Sequence, residues 1–167
     1  VRLGGIPYRL LQDAETSMIK HPTTWILVAD AAHARVVRST GPGSDLVDVA
    51  GYSTTNELPP GRELHRDQLP RTHESVGSTR HAMAPREDPR RRLKYDFAAT
   101  LADRLAAAAA AKEFDRLVVV APPEMLGDLR RLLPASLQKL VAAEFAKDLV
   151  KIANADLRSH FGDGLMI

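Results

Sequence analysis

The stretch Leu117-Val118-Val119-Val120-Ala121 decides the fold class. Its apolar residues are continuous and do not alternate with polar ones, as they would in a strand with one face in water. A continuous run of this length is typical of a strand that is covered on both faces, in the middle of a sheet. We therefore predict an α/β domain in which helices pack on the sheet that contains this strand.

Helical patterns lie on both sides of this central strand. Before it, a helix is predicted to begin at Pro89, with Asp88 as its N-cap, and to run through the alanines to about Glu113. The apolar stripe of this helix recurs every four residues, at Leu93, Phe97, Leu101 and Leu105. After the central strand, a second helix follows Pro122-Pro123 and ends at Pro134.

The remaining elements are strands and one terminal helix. Strand patterns at 24–29, 34–39 and 46–53 are joined by short turns, which predicts an antiparallel arrangement. A fifth strand is predicted at 141–147, and a helix capped by Asn154 and stopped by Gly162 ends the domain. The prediction is a mixed five-stranded sheet with flanking helices, in an order similar to ribonuclease H-like topologies.

Composition limits the classes of protein to which the chain can belong. Its 167 residues suit one domain, and 44% hydrophobic with 26% charged residues is close to the globular average. The chain has no cysteine, which excludes disulfide scaffolds, thiol catalysis and Cys-ligated zinc or iron–sulfur centres. No stretch approaches the roughly 18 to 20 apolar residues of a membrane span, so no membrane association is predicted.

The first residues are predicted to form a poorly structured extension at 1–22, followed by a single domain at 23–167. Because 1–17 show neither a helical nor a strand period, we expect Met18 to be the natural first residue. The alternative is an ordered N-terminal arm. The same residues lack the apolar core of a signal peptide, about 7 to 15 residues long, and we therefore expect a cytoplasmic protein.

Charge is concentrated in one part of the chain, residues 61–92, which we call the basic segment. It contains eight arginines against five acidic residues, although the whole chain has a net charge of only +2. Guanidinium groups recognise phosphates, which predicts nucleic-acid binding through this segment. The alternative is a solvated surface loop whose acids pair internally with little gain in stability. The candidate contact residues are Arg62, His65, Arg66, Arg71, His73, Arg80, His81, Arg86, Arg90 and Arg91.

The end of the basic segment favours the binding interpretation. Arg90, Arg91 and Arg92 fall in the first turn of the predicted helix, where the helix dipole disfavours each cation by a few tenths of a kcal/mol. Glu87 and Asp88 offset part of this cost. A further interaction that retains the three arginines is therefore expected.

Other candidate sites are weaker. The histidines of the basic segment are eight residues apart, which matches no compact metal motif, so neither a metal site nor a cofactor is predicted. Asp30 ends the first strand, where ribonuclease H-like nucleases place a carboxylate for magnesium. Such a site needs further carboxylates, and the spacing of Asp48, Asp96 and Asp115 does not require them to converge. The alternative is an aspartate that caps its own turn.

Four stretches carry a resemblance to a known family: Thr24 to Val36, Arg80 to Pro85 with Asp88-Pro89, Phe114 to Pro123, and Lys147-Asp148-Leu149. They resemble the bacterial host attachment proteins, also described as proteins required for attachment to host cells. The resemblance covers nearly everything after Thr23. No single motif in it is a catalytic signature, but the order and spacing of the four stretches are specific.

The resemblance implies a fold like the central domain of archaeal and eukaryotic peptide release factors and of Pelota, to which this family is distantly similar. In release factors the loop after the third strand carries Gly-Gly-Gln and enters the peptidyl-transferase centre. The basic segment occupies the same place here. Its only glutamine, Gln68, lacks the two glycines, so peptidyl-tRNA hydrolysis is not carried over.

Three functional hypotheses follow. The first is a noncatalytic module that associates with RNA or the ribosome and binds phosphate through the basic segment. The second is a hydrolase acting on a nucleic acid or an ester through Asp30 or the histidines of the basic segment. The third is an indirect role in attachment to host cells. Oligomeric state is not predicted.

Overall fold

The structure, a computed structural model, describes residues 21–59 and 88–162. The predicted extension at 1–22 lies outside the described residues except for its last two positions. Of the basic segment, only 88–92 are described. The predictions on 1–20 and 61–87, including the natural start at Met18, therefore stay predictions.

The described residues contain a six-stranded sheet. The strands are β1 (Thr24–Ala29), β2 (His33–Ser39), β3 (Val47–Asp48), β4 (Thr54–Thr55), β5 (Arg116–Val120) and β6 (Val141–Phe145). Their spatial order is β3-β2-β1-β5-β6, and β4, which lies outside this order, also pairs with β2.

The sheet is mixed, as predicted. β1 pairs antiparallel with β2 and parallel with β5, and β5 pairs parallel with β6. All six residues of β1 are buried, because a strand lies on each side of it and both of its faces are covered. The continuous apolar run of β5 has the same cause, which confirms the α/β prediction made from that stretch.

The predicted third strand at 46–53 is wrong in its length, because only Val47–Asp48 of it form a strand. The further short strand β4 follows, so the described sheet has six strands where five were expected. The chain turns between β3 and β4: Tyr52 N–H donates to Val49 O at 3.2 Å, and Gly51 has φ of +81°. This left-handed conformation suits glycine and does not continue a strand. Only β3 falls within the predicted range, and β4 begins directly after that range; both short strands pair antiparallel with β2.

The helices are α1 (Pro89–Ala110), α2 (Pro123–Leu132), α3 (Ala135–Gln138) and α4 (Asn154–Leu157), the last followed by a 3-10 turn at Arg158–His160. The predicted cap and first residue of α1 are confirmed, since Asp88 accepts a hydrogen bond from Arg90 N–H at 3.0 Å. The prediction for α4 needs correction: Ala153, not Asn154, is the capping residue. Gly162, with φ of +71°, comes after the 3-10 turn.

The two faces of the sheet are covered unequally. One face packs against α1, α2 and α3 through a large core that includes Leu27, Leu105, Leu117 and Leu129. The other face packs against the residues after β6, with a smaller core that includes Ile26, Val118, Leu157 and Phe161. The apolar stripe predicted for α1 is confirmed at Phe97, Leu101 and Leu105, which are all buried.

A cluster around Arg104 ties the turn between β3 and β4 to α1. The guanidinium lies 4.9 Å from the centre of the Tyr52 ring and donates to Thr54 Oγ1 and to Gly51 O. Burial raises the pKa of Tyr52, with a smaller contribution from Glu113, while the charge of Arg104 acts in the opposite direction. The strands that lead into the basic segment are therefore held against α1.

None of the helices in the described ranges is both long and apolar enough to cross a membrane.

Candidate functional site

The candidate site lies at the carboxyl edge of the parallel strands. β1, β5 and β6 are parallel, so the residues after Ala29, Val120 and Phe145 all leave the sheet at the same edge. In open α/β sheets, ligands bind at this edge, where the connections from neighbouring strands diverge. This edge is therefore the first place to look for functional groups.

Asn56 holds the described residues that precede the basic segment at this edge. Its backbone N–H donates to Ala32 O at 2.6 Å, in the turn after β1. Its side-chain Nδ2 donates to Ala31 O at 3.0 Å and approaches Leu93 O of α1 at 3.5 Å. One asparagine thus connects the turn after β1 with the beginning of α1.

The first turn of α1 places the other end of the segment at the same edge. Asp88 and Pro89 begin the helix, and Leu93 is the α1 residue that Asn56 approaches. Residues 59 and 88 are the last and first described positions around the gap. Both connections of the basic segment to the fold therefore lie beside the carboxyl ends of β1 and β5.

A buried carboxylate holds the first turn of α1. Asp128 of α2 is only 1% exposed, and its Oδ1 accepts from Arg91 Nη2 at 2.6 Å and from Arg131 Nη2 at 3.1 Å. A buried charge is tolerated when it is paired and hydrogen-bonded, as it is here. The expected interaction that retains an arginine in this turn is therefore present for Arg91.

Glu124 extends this network toward solvent. Its Oε1 lies 3.3 Å from Arg91 Nε, and its Oε2 accepts from Lys94 Nζ at 3.0 Å. Glu124 belongs to the first turn of α2, where a negative charge is also favoured by the helix dipole. We call Lys94, Arg91, Glu124, Asp128 and Arg131 the root cluster, because it fixes the beginning of α1 against α2.

The other two arginines of the first turn differ from Arg91. Arg90 is exposed, and its backbone N–H is the one that Asp88 caps. Arg92 is also exposed, with Nε 3.7 Å from Asp96 Oδ2, one helical turn further along. Of the predicted contact residues, Arg90 and Arg91 are described, and Arg91 contributes to the root cluster. The others, which lie outside the described residues, are Arg62, His65, Arg66, Arg71, His73, Arg80, His81 and Arg86.

The chain matches a protein family described as "Protein required for attachment to host cells", over residues 25–161. It belongs to this family. The matched range contains the basic segment, the root cluster and all six strands, except for Thr24, the first residue of β1, so these features lie in the part of the chain that the family shares. No curated protein matches the chain. The resemblance to the host attachment proteins is therefore confirmed, whereas the distant similarity to release factors and Pelota stays a prediction.

In this member of the family, Asp30 caps its own turn. Its Oδ1 accepts from the backbone N–H groups of Ala32 and His33 at 2.7 and 2.6 Å, and the exposed His33 ring lies 3.5 Å from the same oxygen. The turn interpretation of Asp30 is confirmed. Across 21–59 and 88–162, the structure brings together no group of three acidic or histidine residues that could hold a metal ion.

The acids proposed as partners of Asp30 are engaged elsewhere or lie on other elements. Asp115 Oδ2 accepts from Thr23 N–H at 2.8 Å, beside the amino end of β1, and Asp96 faces Arg92. Asp48 belongs to β3, at the other side of the sheet from β5. Among the described residues, therefore, no cluster of carboxylates forms at the end of β1.

Sequence reasoning missed Asp128, although a signal for it exists. Met125, Leu126 and Leu129 form the buried stripe of α2, and Asp128 falls on that stripe, three residues after Met125. An acidic residue on a buried stripe requires a cationic partner. The spacing predicts burial of Asp128, but it does not identify Arg91, 37 residues earlier, as the partner.

Proposed function

We propose that this protein takes part in attachment to host cells as a binding protein, and that the basic segment binds a polyanion. The observation that carries the proposal is the position of this segment. Its two connections lie at the carboxyl edge of the sheet, where α/β folds place ligand sites, in a chain whose family is described by attachment. Its eight arginines supply the charge for polyanion recognition.

The root cluster shows which cations near the start of α1 are used for packing. Asp128 and Glu124 neutralise Arg91 and Lys94 beside the helix start, so these cations serve the contact between α1 and α2. The arginines at positions 62 to 86 and Arg90 are then the candidates for contact with the polyanion. Recognition is assigned to the basic segment, and the fixed position of its last five residues, 88–92, is assigned to the root cluster.

RNA, including ribosomal RNA, is the second candidate partner. The resemblance to release-factor central domains that the sequence implies, and that stays a prediction, places the basic segment where those domains carry a loop that works on the ribosome. RNA is also favoured by three consecutive arginines in a helix first turn that contains no acidic residue. On this hypothesis, the role in attachment is indirect and is exerted inside the cell.

A binding titration with matched variants tests polyanion recognition. A short labelled RNA and heparin are titrated with the wild-type protein, with an Ala variant of Arg66, Arg71, Arg80 and Arg86, and with a control Ala variant of Arg38, Lys112, Arg116 and Lys151. The control removes the same number of positive charges from exposed or partly exposed positions outside the basic segment. The first variant is expected to bind about tenfold or more weakly, with a smaller salt dependence, and the control to bind nearly as the wild type.

Equal weakening by both variants would show that only net charge matters and would contradict the assignment to the basic segment. Absence of binding to both probes at low salt would remove the polyanion proposal altogether. Co-sedimentation with ribosomes across a salt series then distinguishes RNA from other polyanions.

The attachment role is tested in the organism that encodes the protein. Loss of the gene is expected to lower attachment to host cells, and the wild-type gene is expected to restore it. If the basic segment is responsible, the Ala variant of Arg66, Arg71, Arg80 and Arg86 fails to restore attachment while the control variant succeeds. Fractionation of the same cells tests the expected cytoplasmic location.

A further inference from the structure

A groove lies on the side of α2 away from Arg91, between the end of this helix, α3 and β6. Its volume is about 390 Å³, enough for one large side chain. Five residues line it: Arg130, Leu133, Gln138, Val141 and Glu144. The root cluster contributes none of them, so the groove is a separate feature of the surface.

The groove has an apolar part and a charged rim. Leu133 is buried and Val141 is partly buried, while Gln138 Nε2 donates to Leu133 O at 2.8 Å and to Arg130 O at 3.2 Å. At the rim, Arg130 Nε and Nη2 lie 2.7 and 2.6 Å from Glu144 Oε2. Hydrogen bonding to Glu144 raises the pKa of Arg130. A side chain that enters the groove therefore contacts aliphatic carbon inside it, and the ion pair lies beside it at the rim.

β6 presents backbone groups next to this groove. It is the last strand of the sheet, and within 21–59 and 88–162 no further strand pairs with its outer side. Phe145 O accepts from Ala121 N–H of the neighbouring connection at 3.1 Å, so the polar groups of Phe145 face inward. Because these groups alternate in direction along a strand, the N–H and C=O of Glu144 face outward. Such an edge can accept an added strand.

The charge around this edge is positive. Exposed Lys139 ends α3 before β6, and exposed Lys147 follows β6. With Arg130, the edge has three cations against the two carboxylates of Glu144 and Asp148, which leaves a net charge of +1. We propose that β6 and its groove form a docking site for an extended acidic peptide, which pairs with Glu144 and places one apolar side chain between Leu133 and Val141.

Two features argue against a second copy of the chain as the occupant. An antiparallel β6–β6 pair centred on Glu144, whose backbone groups face outward, would place the two Glu144 side chains directly opposite each other, and like charges in this position are destabilising. The register with β5 also shifts after Val141, which makes Ala142 a bulge and limits regular pairing to Ala143–Phe145. Such a short stretch of backbone pairing needs a side-chain contact in the groove as well. An acidic peptide with one apolar side chain supplies the backbone pairing and the groove contact.

Fluorescence anisotropy with a defined probe tests the proposal. The probe is a labelled octapeptide in which valine and leucine alternate with aspartate and glutamate, and its control has lysine in place of every acid. The acidic probe is expected to bind at least about tenfold more tightly than the lysine probe. Lys139→Glu is expected to weaken acidic-probe binding about fivefold or more, while Arg38→Glu, the same charge change on β2, has little effect.

A second pair of variants separates the backbone contact from the carboxylate. Glu144→Pro removes the outward N–H, which an edge strand tolerates, and is expected to abolish binding of the acidic probe. Glu144→Ala keeps the N–H and removes one negative charge from the rim, so it is expected to bind at least as tightly as the wild type. Thermal unfolding confirms that both variants are folded.

The following results would overturn the proposal. Equal affinity for both probes, or none for either, removes the acidic peptide as the occupant. A dimer in sedimentation velocity that Glu144→Pro dissociates assigns the edge to a second copy. Tighter probe binding after removal of residues 163–167 assigns the site to the chain's own last residues instead.

Discussion

Two aspartates of this fold each use one carboxylate oxygen to accept two hydrogen bonds, but their donors differ. Oδ1 of Asp30, after β1, accepts from backbone N–H groups two and three residues further along. Oδ1 of Asp128, in α2, accepts from the side chains of Arg91 and Arg131, and Arg91 belongs to another helix. One aspartate stabilises a turn, and the other joins two helices.

Burial makes this difference energetically important. The side chain of Asp30 is 23% exposed, so water solvates part of its charge. The side chain of Asp128 is 2% exposed, so its charge depends on the guanidinium groups that pair with it. Although the two carboxylate oxygens have similar hydrogen-bond geometry, we therefore expect the loss of Asp128 to destabilise the fold more than the loss of Asp30.

The largest predicted effect is that of Asp128→Ala. The substitution leaves Arg91 Nη2 without its buried acceptor at the contact between α1 and α2, and we expect the free energy of unfolding to fall by about 3 kcal/mol. Urea denaturation followed by circular dichroism measures it. Asp96→Ala removes an exposed ion pair of α1 and is the matched control, with an expected loss below about 0.5 kcal/mol. Similar losses for both variants would contradict the structural role of Asp128.

A double-mutant cycle measures the pair itself. Arg91→Met keeps much of the apolar stem and removes the guanidinium. Combined with Asp128→Ala, it is expected to give a coupling energy of about 1.5 kcal/mol, because each single variant leaves part of the other partner unsatisfied. The same cycle between Arg92 and Asp96, whose closest atoms are 3.7 Å apart at the surface, is expected to give about 0.3 kcal/mol.

Much of the fold could be predicted from the sequence, because its signals are local. Burial determines the continuous apolar run of β5 and the four-residue apolar period of α1, so both elements could be recognised from these patterns. The cap at Asp88 depends only on residues next to it. The third strand was predicted as one element because Leu46 to Ser53 alternates as a strand does. Only Val47–Asp48 of this stretch form a strand, because the chain turns at Gly51, and a glycine permits the left-handed conformation there without requiring it.

The candidate site could be predicted only in part, for a physical reason. The role of Asp30 follows from residues within three positions of it. The role of Arg91 depends on Asp128, whose position is set by how α1 and α2 pack on the sheet. The sequence indicated that something retains an arginine in this turn, but tertiary packing determines which acid does so.

The predicted effect of Asp30→Ala is intermediate. Removal of the carboxylate leaves two turn N–H groups to water, and we expect a loss of about 1 kcal/mol in the free energy of unfolding. Asp30→Asn keeps an oxygen acceptor and is expected to lose less. Polyanion binding, measured with the labelled RNA, is expected to stay at the wild-type level in both variants. A large loss of binding with an intact fold would instead place Asp30 in the functional site.

The smallest effect is expected for Glu144→Ala. Glu144 Oε2 has two cationic contacts, as Asp128 Oδ1 does, but both come from Arg130: Nε donates at 2.7 Å and Nη2 lies at 2.6 Å, and the Arg130 side chain is 57% exposed. Loss of this pair returns Arg130 to water and leaves no buried charge behind, so we expect the midpoint of urea unfolding to match that of the wild type within error. A shift as large as that of Asp128→Ala would show that geometry at the oxygen, and not burial, determines the strength of these pairs. An unchanged midpoint for Glu144→Ala, together with a large loss for Asp128→Ala, would establish burial as the deciding difference between these two acid–arginine pairs, each of which has one member in α2.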